Sequence, residues 1–256
     1  MTYRPNGDYN LDVRRGLVAG HEMISIRGHD ETVPNGGPFG LSPQFGVNGY
    51  SFDQSAISAT PAVVGVASTD NTNDNAGGTG ALTVQVSGLD SSGNAQSETV
   101  TMTGQTAVNT VATFSAVFLL RVLTTGTANA NTGTIYCGTG TFTAGVPAVR
   151  MLSMEIGFNI SMSGYYVVPA GKTLYMREYF STLAVTNKSS ETFVETSSDG
   201  ILWYRQAPFG VESGSIVTPV RSMPGLPAGT HIQFTSSGLA AGTDCFTVLQ
   251  SELVDD

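Results

Sequence analysis

The sequence predicts an all-β protein, an antiparallel β-sandwich of jelly-roll type led by an extended N-terminal arm. Three observations point there. Only 12% of the 256 residues are charged, and Thr, Ser, Asn and Gly carry the polarity, a composition that suits pleated sheets and tight turns. Helix formers are scarce, with two lysines in the whole chain. Short runs of alternating apolar and polar residues follow one another with turn residues between them, the pattern of half-buried strands. A chain this long buries roughly 70–75% of its unfolded surface, which is enough for a substantial core.

From Met1 to about Gly20 the residues are polar and turn-rich, and they read as an arm that orders on its neighbours. HEMISIRG, from His21, gives a short strand. Thr32–Ser55 holds too many Gly and Pro residues for a regular element, and reads as an irregular segment lying against a partner or the body. Residues 1–55 are therefore expected to form an arm and docking segment. Residues 56–256 form the sandwich, divisible into two packed sub-sandwiches at 56–145 and 146–256.

Within the sandwich, strands are expected near residues 62–67, 81–87, 97–103, 114–123, 133–137, 165–168, 173–186, 192–196, 201–205, 215–221, 231–234 and 245–249. ALTVQVSG places Leu82, Val84 and Val86 on one face, with Thr83 and Gln85 on the other. SETVTMTG repeats the pattern with Val100 and Met102. Between them GLDSSGN is a hairpin loop, with Asp90 and Gly93 supplying the turn chemistry. VRMLSMEIGFNIS has the weakest alternation and is read as holding a helical turn. VPAGKTLYM (Val168–Met176) and LPAGTHIQF (Leu226–Phe234) share a Pro-Ala-Gly turn that launches a strand, and LAAGTDCFTV is a weaker third copy.

Charge and hydropathy exclude two partner classes. A net charge of -9 opposes nucleic acid, because neutralising phosphates needs a basic face. The longest apolar runs, AVVGVA and VFLL, fall far short of the ~20 residues of a spanning helix. The N-terminal stretch has no apolar segment of the signal-peptide kind, so the chain is expected to be made and kept inside a cell, or assembled there into something released later.

Candidate sites can be weighed one at a time. Asp70 and Asp74, with Asn71, Asn73 and Asn75 beside them, are the candidate calcium ligands. However, calcium takes six to eight oxygens, usually closed by a bidentate Glu, and the closing position is Ala81. Turn capping is the favoured reading of that loop. AGKT at Ala170–Thr173 lacks the upstream Gly and the following helix of a phosphate loop. His21, Glu22, His29, Asp30 and Glu31 are the densest cluster of possible metal ligands, but an extended strand would hold the two histidines too far apart to share an ion. Cys137 and Cys245 each sit in a strand-like run, where a small buried hydrophobe is the default. No G-x-S-x-G elbow exists, and nothing selects a catalytic pair from Glu98, Glu155, Glu178, Glu191 and Glu195. No enzyme, cofactor or metal is expected. Trp203 and Tyr204, with Tyr165, Tyr166, Tyr175, Tyr179 and Phe180, offer a stacking platform for a sugar, although burial in the core is the larger energetic gain for most of them.

Taken in order, LVAGH, ASTDNTNDNAGGTGALTVQVSGLDSSGNAQSETVTMTGQTAVNT, NTGTIYCG and YYVVPAGKTLYM resemble small β-rich virion structural proteins of tailed bacteriophages, many of them marine. The resemblance runs from about Leu17 to the end. It departs at Asn73–Asp74–Asn75, where an Asp-Thr form is usual, and at Leu82, where Arg is common. It implies a structural component of the particle with no catalytic residues to carry over: a tail or neck fibre-like or adaptor subunit, or a capsid decoration protein. The partners implied are further copies of the chain, with a trimer as the first expectation, and other virion proteins. The implied location is the virion, assembled in the host cytoplasm. The alternative is a carbohydrate-binding host-adhesion module of the virion, with Trp203 and Tyr204 as the platform for a host glycan.

Overall fold

The computed structural model describes residues 8–33, 42–43, 54–183, 189–212, 215–220, 223–238 and 243–256. The chain is all-β, built of small antiparallel sheets. The expected sandwich, divisible into two sub-sandwiches, takes the form of four small sheets in a propeller-like ring, with one core shared by two of them and a second core by the other two.

The first unit contains β3 (Gly65–Ser68), β4 (Ala81–Leu89), β5 (Ala95–Thr101), β6 (Val108–Asn109), β7 (Ala116–Thr125), β8 (Ile135–Thr143), β9 (Val146–Met154) and β10 (Ile160–Met162). Its sheets run β9-β8-β3-β6 and β10-β7-β4-β5. The alternation in the sequence fixes which side of each strand is apolar. Val84 and Val86 from β4, Val100 from β5 and Leu120 from β7 enter the core and meet Val66, Ile135, Cys137 and Leu152 from the facing sheet. Burying one such aliphatic side chain contributes about 1.5–3 kcal/mol.

The second unit draws on both ends of the chain. Its strands are β1 (His21–Val33), β2 (Ser42–Pro43), β11 (Tyr165–Val167), β12 (Lys172–Leu183), β13 (Ser189–Ser197), β14 (Tyr204–Glu212), β15 (Ser215–Pro219), β16 (His231–Gly238) and β17 (Thr243–Asp255). One sheet runs β15-β12-β17-β1-β2 and the other β11-β16-β13-β14. Between them lie Ile26, Leu174, Tyr179, Val194, Ile232, Phe234, Cys245, Leu249 and Leu253.

Two boundaries differ from the sequence reading. The segment from His21 is no part of a loose arm. It is a 13-residue strand held between β17 and β2, with His21 opposite Val254 at one end and Val33 opposite Thr243 at the other. The reason is burial: Ile24 and Ile26 lie against the second core, and pairing with β17 satisfies backbone groups that an extended arm would leave to water. Ahead of it, helix α1 (Tyr9–Arg14) is capped by Asp8, whose carboxylate accepts the Leu11 N–H at 3.0 Å. It buries Val13. The remainder of the expected docking segment, apart from β2, Gln54 and a short helix α2 (Ser55–Ala59), lies outside the described residues. The division between units falls between Met162 and Tyr165, because β9 and β10 complete the first pair of sheets. VRMLSMEIGFNIS accordingly holds strands and a turn instead of a helical turn.

Candidate functional site

The Asp/Asn loop between β3 and β4 is built around one carboxylate. Asp74 is fully buried. Its oxygens accept the Ser68 hydroxyl at 2.6 Å, the Ala81 N–H at 2.7 Å, the Gly133 N–H at 2.7 Å, and the N–H and hydroxyl of Thr132 at 3.0 Å each. Asp70 accepts the backbone N–H groups of Thr72 and Asn73 and the Asn73 side-chain amide. These bonds, the Asn73 side chain first, hold its carboxyl down to about 2. The two candidate calcium ligands therefore serve as anchors: their lone pairs are directed at donors of the fold, and Asp74 ties the loop to the 131–133 segment. Among the described residues, no group of three or more His, Cys, Asp or Glu is placed to hold a metal ion.

Other sequence candidates are dispersed. His21 and Glu22 open β1, and His29, Asp30 and Glu31 lie on the same strand. His21 instead joins Tyr9 and Arg177 around Glu252. This carboxylate is fully buried beneath α1, and nothing in the polar C-terminal sequence marked it out. Glu98 accepts the N–H groups of Val111 and Ala112, and Glu195 pairs with Arg205 and Gln233. Cys137 and Cys245 are free thiols buried in different cores, and burial pushes the Cys137 thiol up to about 12.

What the fold brings together is the seam between the units. The Ala170 N–H donates to the Gly93 carbonyl at 2.8 Å, so a Pro-Ala-Gly turn of the second unit rests on the GLDSSGN hairpin of the first. Leu89, Ala116 and Val167 form a small shared core, with Phe118 and Tyr165 against it. A chain of hydrogen bonds crosses the seam: Ser58 donates to the Ser115 carbonyl at 3.3 Å, Ser58 and Tyr165 share a bond at 2.8 Å, and Tyr165 meets His231 Nδ1 at 2.5 Å. Beside this chain opens a cleft of about 300 Å³. Both Pro-Ala-Gly turns reach its wall, with Gly171 and Gly229 at φ +68 and +79. Leu89, Ser92, Gly93 and Ser115 of the first unit line it as well.

Trp203 and Tyr204 have different surroundings. The Trp203 ring stands edge-on to Tyr165 at 6.4 Å and to His231 at 6.5 Å between centroids. Tyr204, the first residue of β14, is exposed instead. Burial holds His231 below the usual histidine range, and the Asp199 carboxylate opposes that shift. The ring also sits against the 199–202 turn so closely that a Cβ at Gly200 would lie 3.1 Å from it.

No family model matches the chain, and no curated protein does. Among solved structures it is similar to the crystal structure of the STIV MCP, at 7% identity and a TM-score of 0.25, over 91% of this chain and 96% of that one. It is also similar to the structure of infectious bursal disease virus Gt strain, at 13% identity and a TM-score of 0.24, over 92% of this chain and 72% of that one. Likenesses this weak assign neither a fold nor a role.

Proposed function

We propose that the chain is a virion structural protein of a tailed bacteriophage, a subunit that acts by assembly and carries no catalytic site. The observation that carries this reading is the pairing scheme of the second unit. Numbered in chain order, β1 is strand 1 and β11 to β17 are strands 2 to 8. Strand 1 then pairs with 8, 2 with 7, 3 with 6 and 4 with 5. The 3·8 and 4·7 pairings join these ladders into two sheets. A long antiparallel ribbon rolled on itself gives this order, which supports a jelly roll, an architecture found in viral capsid and lectin domains. A fold alone does not select a function. The resemblance of the ordered motifs, from the Asp/Asn loop to VPAGKT, to those of phage virion proteins is the second support for the reading.

The rim formed by β14 and β15 favours self-association. These consecutive strands are the outer members of opposing sheets. Tyr204 on one is 56% exposed and Val217 on the other 55%, and the turn ahead of β14 adds Ile201 at 83% and Leu202 at 58%. An open strand edge with apolar side chains beside it is a template for another chain. Closed symmetry repeats one such contact, and a trimer is the reading adopted, in a tail or neck fibre-like or adaptor subunit or a capsid decoration protein.

Sedimentation velocity on the full chain and on an Ile201→Asp/Leu202→Asp/Val217→Asp variant tests it. The expected result is a trimer for the unaltered chain and a folded monomer for the variant, with matching circular dichroism. A monomeric unaltered chain, or a variant that assembles normally, overturns the rim contact.

A further inference from the structure

The seam cleft has the chemistry of a ligand site, and a hydrogen-bond network runs along its wall. Ser58 can donate its hydroxyl proton to the Ser115 carbonyl. Ser58 and Tyr165 share a hydrogen bond at 2.8 Å in which either hydroxyl can donate. Tyr165 Oη and His231 Nδ1 share the next bond at 2.5 Å, its direction set by the tautomer of the ring. A neutral imidazole engaged through Nδ1 leaves Nε2 facing outward, as an acceptor in one tautomer and a donor in the other. Among the described residues Nε2 has no hydrogen-bond partner, and His231 lines the cleft. Its depressed protonation, caused first by burial, keeps the ring neutral near pH 7.

The rest of the lining limits what can bind. It includes no Asp, Glu, Lys or Arg, so a charged ligand would lose its water without gaining a counter-charge. Ser58, Ser92 and Ser115 contribute hydroxyls, while Leu89, Val167 and Val168 contribute apolar surface. A volume near 300 Å³ lies at the small end of ligand pockets, which run from about 300 to 1,000 Å³. A ligand for this wall is neutral, compact and two-faced, with hydroxyls on one side and C–H groups on the other. We propose that the cleft between the two units binds the terminal unit of a neutral glycan, with His231 Nε2 hydrogen-bonding a sugar hydroxyl, which can donate or accept, and the Trp203–Tyr165–His231 cluster holding the imidazole in place. This inference needs only the two-unit fold and is independent of the rim contact. It replaces a flat Trp203–Tyr204 surface with a recessed slot whose other wall belongs to a different part of the chain.

Trp203 is the only tryptophan, and its ring lies against His231, so its fluorescence reports directly on the site. The probes are methyl α-glucoside, methyl β-galactoside, methyl α-rhamnoside and N-acetylglucosamine, with glucuronate as the charged control. The expected result is a saturable emission change with at least one neutral sugar and none with glucuronate. Ser92→Phe fills the cleft from the first unit and Ala228→Phe from the second, and each site is exposed, so the fold should tolerate both. Each variant should weaken the response at least tenfold while leaving the melting temperature nearly unchanged. Silence with all four neutral sugars, an equal response to glucuronate, or binding that persists in both variants overturns the proposal. If one variant fails to fold, the other carries the test.

Discussion

Replacing Asp74 with Ala removes the acceptor for three backbone N–H groups, those of Ala81, Thr132 and Gly133, and for two hydroxyls. The site is fully buried, so water cannot take the carboxylate's place without opening the loop. A buried donor stripped of its partner costs about 1–3 kcal/mol. These donors share one acceptor, and their losses overlap, so a total of about 3–6 kcal/mol is expected. Asp74→Asn keeps one oxygen but turns an amide toward donors, and about 2–3 kcal/mol is expected for it. Asp70→Ala removes only a half-buried turn cap and should cost about 0.5–1.5 kcal/mol. Urea unfolding gives the differences as midpoint shifts at constant slope. By melting, where about 2–4 °C accompanies each kcal/mol in a chain of this size, Asp74→Ala should lose roughly 10–20 °C. Millimolar calcium should leave the unaltered chain's melting temperature unchanged, since a ligand bound only to the native state would raise it. An Asp74→Ala protein within about 1 kcal/mol of the parent, or a clear stabilisation by calcium, would refute the anchoring role.

Two further outcomes follow from buried or engaged carboxylates. Glu252→Gln removes the charge on which Arg177, His21 and Tyr9 converge. Arg177 is half exposed and can rehydrate, so a loss of about 2–3 kcal/mol is expected instead of the 3–5 of a wholly buried pair. Faster amide exchange should be confined to α1 and the start of β1, and unchanged exchange there would contradict the latch. In acid, Asp70 and Asp199 are both held down to about 2 by donors in their own turns, Asn73 for the first and the N–H groups of Leu202 and Ile201 for the second. A depressed native pKa gives stability that is present above the ordinary carboxylate value near 4 and is lost as pH falls through about 2. Carboxyl NMR titrations of the two residues should therefore show midpoints near the bottom of that window, and ordinary midpoints would remove this contribution.

The parts of the fold legible in the sequence are those set by neighbours along the chain. GLDSSGN turns as read: Asp90 accepts the N–H groups of Ser92 and Asn94, and Gly93 has φ +79. The strand faces of Val84, Val86, Val100 and Met102 also follow from period two, and all four are buried. The β8–β9 hairpin was hidden because its turn uses Ala144 at φ 49 ahead of Gly145 at φ 85, and Ala carries no turn signal. Gly145 has a second constraint invisible in the sequence, since a Cβ there would lie 2.1 Å from the Ser68 carbonyl.

Partners far apart in sequence were not legible. HEMISIRG shows a strand but not that its neighbour is β17, at the other end of the chain. The C-terminal SELVDD reads as solvated, yet Glu252 is covered because α1 lies over that sheet. Trp203 was singled out, but the reading paired it with its sequence neighbour Tyr204. In space its partners are Tyr165 and His231. The cleft itself joins a hairpin, two turns and a short helix, and no local pattern encodes that meeting.

The most direct test of the account is electron cryomicroscopy of purified virus particles whose genome encodes this chain. The account predicts repeated copies at symmetry-related positions on the tail, neck or capsid surface. In each copy Ile201, Leu202 and Val217 should be covered by a neighbouring copy, and the cleft beside His231 should open to solvent. Particles that contain no copies, or copies whose β14–β15 rim touches nothing, would contradict it.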